Sequence, residues 1–169
     1  MDSIQVLQNL YSRGREWVGM IEGLSDDNLC AEPLPSIGWQ IWRMGRSVDF
    51  NMSGLIGAEQ LWLADEWHAR FGLDPDPRDF LPGFPPPNDL VRTFRAPAKQ
   101  LLVDYFDAAY ALALRYVYGL APTDLDYEID GDRYSSPPTI GIRLVSVGVS
   151  LAQSIGDIRY RLWMAGNGS

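Results

Sequence analysis

The 169-residue chain is 46% hydrophobic and 21% charged, a composition that argues against wholesale disorder and fits one domain, residues 1–169, with a core of its own. Its net charge of −8, from 22 acidic and 14 basic residues with no basic run, excludes a nucleic-acid face. One cysteine (Cys30) and one histidine (His68) exclude an internal disulfide, a cysteine-rich zinc site and any mechanism built on two imidazoles.

The first segment runs from Ser3 to Gly23. Ile4, Leu7, Leu10, Tyr11, Trp17, Val18 and Ile21 recur at the three- and four-residue spacing of an amphipathic helix. Asp2 or Ser3 caps its start and Gly23 suits its end. Ser25 caps a single turn over Asp26 to Leu29, and Pro33 and Pro35 then break the chain. The second segment starts at Ser36 and carries Ile37, Trp39, Ile41, Trp42, Met44, Val48, Met52, Leu55 and Ile56 on one broad side. Gly57 breaks it, and a further helical turn or two spans Glu59 to Phe71.

Residues Leu73 to Pro87 hold six of the 12 prolines, so regular structure is not expected there. A loop of this length is a lid, an interaction surface or a stiff connection. Asn88 or Asp89 caps a short helix to Phe94, and Pro97 fits the first turn of the third segment, which runs to Gly119. A second linker holds Pro122, Asp124, Asp126, Asp130, Asp132, Pro137 and Pro138, with Tyr127 to Ile129 extended. Thr139 caps the fourth segment, which keeps the helical period to about Ala165. No internal repeat is evident. Four long helical segments without a strand pair predict an all-α four-helix bundle, with long loops after the second and third helices that permit a crossover. No apolar run approaches the roughly 18 residues of a membrane span. Met1 to Gln8 lack the basic-then-apolar pattern of a secretion signal, so a cytoplasmic protein is expected.

Ile37-Gly38-Trp39-Gln40-Ile41-Trp42-Arg43-Met44-Gly45-Arg46-Ser47-Val48-Asp49 resembles the start of helix two in the DinB-like (DinB/YfiT) superfamily. The usual pattern there is Trp-x-x-Trp-His, then a basic residue and an acid. Glu66-Trp67-His68-Ala69-Arg70-Phe71-Gly72-Leu73 is similar to a motif of the actinobacterial-type branch related to mycothiol-dependent proteins. The run from Pro137 to Val147 looks like the opening of that branch's last helix. Gln153-Ser154-Ile155-Gly156-Asp157 with Tyr160 falls where the family writes Gln-His-x-Gly-Gln and an aromatic. The resemblance covers nearly the whole chain in order. It implies a four-helix bundle, a homodimer and, in many members, a divalent metal on three histidines, used by some to activate a thiol such as mycothiol or bacillithiol.

This chain departs from the pattern where that chemistry sits. The three histidine positions read Arg43, Ser150 and Ser154, and the glutamine position reads Asp157. Arginine does not give up its proton to become a ligand, and neutral serine hydroxyls are poor ligands for zinc or nickel. His68 matches a variable position of the motif. No metal and no cofactor are therefore expected.

If the second segment keeps the family orientation, Arg43 points into the bundle and needs partners, for which Asp49, Ser150, Ser154 and Asp157 are the candidates. They make either a polar plug in the vacated metal site or a retained pocket for a small anionic molecule, held bidentately by Arg43. His68 is a candidate general base or a helix-end residue. Cys30 reads as a buried structural residue. The tryptophans 39, 42, 62, 67 and 163 read as core or dimer interface. Ser146, Ser150 and Ser154 share a helix face but lack the base a nucleophile needs. The acids from Asp124 to Asp132 read as a solvated linker.

The expected protein is thus a metal-independent DinB-like one, a small-molecule binder or pseudoenzyme. Its pocket lies between the second and fourth segments at Arg43, Asp49, Ser150, Ser154 and Asp157. One alternative is a metal-free transferase, isomerase or cyclase, with Arg43 as clamp and Asp157 or His68 as acid or base. The other is a dimeric scaffold without a ligand.

Overall fold

Side-chain caps start most of the long helices, because the first backbone N–H groups of a helix have no partner within it. The computed structural model describes residues 2–14, 19, 21–30, 35–75, 88–131 and 138–167. Helix α1 (Ser3–Ser12) begins at Asp2, whose carboxylate accepts from the Gln5 N–H at 2.9 Å while the Gln5 side chain accepts from the Asp2 N–H at 3.1 Å. Helix α2 (Asp26–Cys30) begins at Ser25, whose Oγ accepts from the Asn28 N–H at 3.2 Å. Helix α3 (Ile37–Ile56) begins at Ser36, whose Oγ accepts from the Trp39 N–H at 3.2 Å, and stops at Gly57 in the left-handed region.

Two short helices follow, α4 (Leu61–Ala64) and α5 (Trp67–Phe71), then α6 (Asn88–Thr93) and the long α7 (Lys99–Gly119). A 3-10 turn spans Pro122–Asp126, and the last helix, α8, spans Ile140–Asn167. Thr139 Oγ1 accepts from the Ile142 N–H at 3.3 Å, as its capping role requires.

Several boundaries differ from the sequence reading. The stretch expected as continuous over Glu59 to Phe71 is split at Glu66, whose φ of 54° ends one helix before the next begins. Pro97 precedes α7 and is not in its first turn, since that helix starts at Lys99. The first segment is helical to Ser12 and again at Gly14, Gly19, Ile21 and Glu22. Tyr127 to Ile129 contributes one isolated antiparallel bridge, Glu128 to Thr139, and no strand occurs among the described residues. Residues 76–87 of the proline-rich stretch, and Asp132 and Pro137 of the second linker, lie outside the described residues, as do Trp17, Val18 and Pro33.

Helix α3 is the centre of the bundle. Ile41, Trp42, Val48 and Met52 on it are fully buried, against Tyr105, Phe106, Ala109 and Ala113 of α7 and Leu144, Leu151 and Ile158 of α8. Each of the larger of these side chains contributes about 1.5–3 kcal/mol on leaving water. Gly45 lets α7 approach closely, because a Cβ there would stand 3.0 Å from the Tyr105 ring. Gly38 faces Leu102 and Gly45 faces Phe106, so α3 and α7 run in the same direction. The chain between them must therefore cross back along the bundle, and the crossover permitted by the long loop after the second segment is present.

Helix α8 runs opposite to α3. Gln40 meets Asp157 near one end and Asn51 meets Arg143 near the other. Helix α1 closes the bundle through Tyr11, whose hydroxyl donates to the Leu144 carbonyl at 2.9 Å and whose own carbonyl accepts from the Tyr110 hydroxyl. Lys99 Nζ donates to the carbonyls of Glu22 and Leu24 at 2.7 and 2.8 Å, satisfying acceptors that the turn there leaves open. No helix among the described residues is long and apolar enough to cross a membrane.

Candidate functional site

Two polar constellations lie on α3, one inside the bundle and one along its edge. The inner one is built on Asp49, which is 0% exposed. Its Oδ1 accepts from the Leu61 N–H at 2.8 Å and from Ser53 Oγ at 3.1 Å. Its Oδ2 accepts from the Trp62 N–H at 2.8 Å and from the Tyr105 hydroxyl at 2.9 Å. Helix α4 has no side-chain cap from its own neighbour Gln60, so Asp49 does that work from twelve residues upstream. Arg46 completes the cluster. Its Nη1 lies 3.6 Å from Asp49 Oδ2 and donates to the Tyr105 hydroxyl at 3.3 Å, and its guanidinium sits 4.4 Å from the Trp62 ring centre.

Burial pushes the Tyr105 phenol above its ordinary pKa; the Arg46 charge opposes that shift and the Asp49 charge adds to it. Tyr105 is therefore a neutral donor to Asp49. Trp42, Trp62, Trp67 and Phe71 wall the cluster, with ring centres 5.2–5.9 Å apart where they meet each other or Tyr105. Every carboxylate oxygen is used and water is excluded. This is an architectural core that ties the α4–α5 turn to the bundle. Asp49 belongs to it and not to the group around Arg43.

The outer constellation is a polar seam where α3 and α8 meet. At one end Gln40 Nε2 donates to Asp157 Oδ2 at 2.7 Å, Arg161 Nε donates to the same oxygen at 2.9 Å, and Arg161 Nη1 donates to the Pro35 carbonyl at 2.6 Å. At the other end Arg143 pairs with Asp130 and donates to Asn51 Oδ1 at 3.2 Å. Between these tie points lie Arg43 and Ser47 on α3 and Ser150 and Ser154 on α8, on facing sides by helical spacing.

The middle of the seam is not closed. Arg43 is half-buried, and its guanidinium lies over the Trp39 ring at 5.4 Å. No hydrogen bond or ion pair holds it among the described residues. Ser154 Oγ donates to the Ser150 carbonyl at 3.0 Å, within its own helix, and Ser150 is exposed. Three and four residues before Arg43, in the first turn of α3, Gln40 Oε1 and Trp39 Nε1 are buried without a hydrogen-bond partner among the described residues. Buried polar atoms in this state mark a place that water or a ligand completes.

The sequence-derived site is thus brought together in part. Arg43, Ser150, Ser154 and Asp157 share the seam. The Arg43–aspartate plug does not form, because Arg161 and Gln40 occupy Asp157 and the inner cluster occupies Asp49. His68 is half-buried, 6.3 Å from the Trp62 ring centre, remote in role from the seam. Its carbonyl accepts from the Leu73 N–H at 3.0 Å, a helix-end position. Cys30 is half-buried and reduced. Trp39, Trp42, Trp62 and Trp67 are core, while Trp163 is exposed. The acids of the second linker are not all free in solvent: Asp124 accepts from the Ala121 N–H at 2.7 Å, and Asp130 holds Arg143. Arg46, Tyr105 and Gln40 were missed as site-forming residues. The three-residue spacing of Arg46 and Asp49 was the only local signal.

The seam does not fit the triad metal of the resembled family. Arg43, Ser150 and Ser154 offer one fixed cation and two neutral hydroxyls where a zinc or nickel ion needs nitrogen, sulfur or carboxylate donors. Two concavities border the bundle away from the middle of this seam. One, of about 350 Å3, lies between Ser53, Gln60, Ile129 and Arg143; the other, of about 600 Å3 and mostly apolar, lies between α1, the 3-10 turn and the start of α8. Neither includes Arg43.

No protein-family model matches the chain, and no curated protein matches it. Among solved structures it is similar to the crystal structure of a conserved protein of a locus from Enterococcus faecalis, with a TM-score of 0.77 and 26% sequence identity over 95% of each chain. The all-helical fold is shared over that span.

Proposed function

We propose that the chain is a DinB-like protein that works without the family's metal and binds a small anionic molecule at the middle of the α3–α8 seam. The observation that carries this reading is Arg43: half-buried, stacked on Trp39, and without an ion pair among the described residues, beside buried Gln40 and Trp39 atoms that lack partners. A guanidinium held over an aromatic face presents its N–H fork to a carboxylate or phosphate bidentately. Ser150 and Ser154 stand across the seam as further polar contacts. We take binding, without turnover, as the role, since Asp157 is held by Gln40 and Arg161 and, among the described residues, no base hydrogen-bonds to Ser150 or Ser154. In this reading it is a cytoplasmic protein and, as the resemblance implies, a homodimer.

The test is titration calorimetry with succinate and with inorganic phosphate on metal-free protein, alongside elemental analysis after purification with zinc, nickel and manganese. Binding that weakens at least about tenfold in Arg43→Ala and partly survives in Arg43→Lys is expected, with metal well below one ion per chain. Unchanged affinity in Arg43→Ala removes the seam as the site. Metal near one per chain overturns the metal-free reading.

A further inference from the structure

Helix α8 carries outward apolar side chains that no other described residue covers. Ile142, Val145, Val149, Tyr160, Trp163 and Met164 are all exposed, and their spacing of three and four within each end, with eleven residues (three turns) between Val149 and Tyr160, places them along one side of the 28-residue helix. Trp163 is 61% exposed and Tyr160 58%, and their rings stack on each other at 6.3 Å. Scattered surface apolar residues need no account, but two apolar groups on one side of one helix, Ile142–Val145–Val149 at its start and Tyr160–Trp163–Met164 at its far end, do.

The two ends of the stripe have opposite shapes. At the start of α8, Ile142 and Val145 form one wall of the apolar concavity of about 600 Å3, with Val6 and Leu7 of α1 and Leu125 on the other side. At the far end Tyr160, Trp163 and Met164 protrude. Ile142 and Met164 are about 33 Å apart along the helix. A twofold axis at Gln153, midway between them, lays α8 antiparallel on its own copy. Each protruding end then reaches the other copy's concave end, the self-complementarity an isologous interface demands.

We propose that the outer stripe of α8 is the homodimer interface, with the Tyr160–Trp163–Met164 end of one protomer seated in the Val6–Ile142–Val145 concavity of its partner. This rests on the homodimer reading above and names its surface. Two further observations favour a second copy as the occupant. The stripe with Val6 exposes on the order of 700 Å2, close to the roughly 800 Å2 per partner of a standard interface. Gly156 lies in the middle of the stripe, exposed, with nothing within 4 Å of where a Cβ would sit. A glycine inside a helix weakens it, and no contact among the described residues requires one here. Close approach of a second helix backbone does.

Sedimentation velocity of the full chain at about 10 micromolar tests the state. A dimer is expected, and Trp163→Glu and Val145→Asp, made separately, each convert it to monomer with unchanged helical circular dichroism, because both side chains are exposed. In a Cys30→Ser background, Ile142→Cys with Met164→Cys cross-links the dimer under mild oxidation, and Ile142→Cys alone does not. A dimer that survives both charge substitutions overturns this interface and leaves the homodimer reading standing. Cross-linking through Ile142→Cys alone overturns the antiparallel register. A wild-type monomer overturns interface and dimer together, and a monomer that floats with phosphatidylcholine–phosphatidylglycerol vesicles assigns the stripe to a lipid surface instead.

Discussion

Arg43 and Arg46 are one turn apart on the same helix and live in different solvents. Arg46 is 2% exposed, in a cluster where Asp49, Tyr105 and the Trp62 ring surround its charge. Arg43, at the edge of the bundle, has one aromatic face and no counter-ion among the described residues. The difference is one of desolvation and of built-in partners. A charge deep in the bundle is tolerated only when its partners are built in with it, and such a network holds structure and is closed to solutes. A charge at a half-open seam costs little to leave unpaired, because water reaches it, and it stays available to a ligand.

The contrast is broken most severely by removing Asp49. Asp49→Ala takes the acceptor from two backbone amides, Ser53 and Tyr105, and leaves Arg46 buried without its carboxylate. A loss of about 3–5 kcal/mol is expected, read as a shift in the urea midpoint at constant slope. A loss under about 1 kcal/mol makes the inner cluster dispensable and ends the contrast.

Tyr105→Phe is a smaller cut through the same cluster. It removes one donor to Asp49 and should cost about 1–2 kcal/mol at neutral pH. It also has a signature at high pH. Burial raises the phenol of Tyr105, as it does those of Tyr11 and Tyr110. Above about pH 10 the unfolded chain loses these protons while the folded chain keeps them. The stability they contribute is fully present below pH 10 and falls as pH rises beyond it, by about 1.4 kcal/mol per pH unit for Tyr105. The alkaline decline should therefore be shallower in Tyr105→Phe than in wild type; an equal slope means that Tyr105 ionises in the folded protein.

Arg43→Ala is the smallest effect on folding and the sharpest test of the edge. Stability should stay within about 0.5 kcal/mol of wild type in thermal melts, while anion binding is lost. A drop comparable to that of Asp49→Ala would make Arg43 a second structural arginine and leave the seam without a free cation.

Much of this was legible in the residues. The period of Ile37 to Ile56 and of Ile140 onward, the caps at Asp2, Ser25, Ser36 and Thr139, and the stop at Gly57 all describe local geometry that a few neighbouring residues decide. The candidate site was legible only along each helix. The spacing of Ser150, Ser154 and Asp157 puts them on one face of α8, and the structure keeps them there facing α3. Which acid each arginine meets was not legible. Asp49 and Asp157 were both candidates for Arg43, and neither takes it.

By itself the sequence determined four long helices, an apolar interior, an acidic surface and a donor set unsuited to a zinc or nickel triad. Those follow from composition, period and residue type, which need no knowledge of distant neighbours. Only the tertiary structure decided that Asp49 caps a helix twelve residues away, that Tyr105 from α7 joins it, that Asp157 is taken by Gln40 and Arg161, and that α8 turns an apolar stripe outward. The physical reason is that a charged group's partner is chosen by which helix faces pack together and how deeply each is desolvated, and neither is a property of any local stretch of chain.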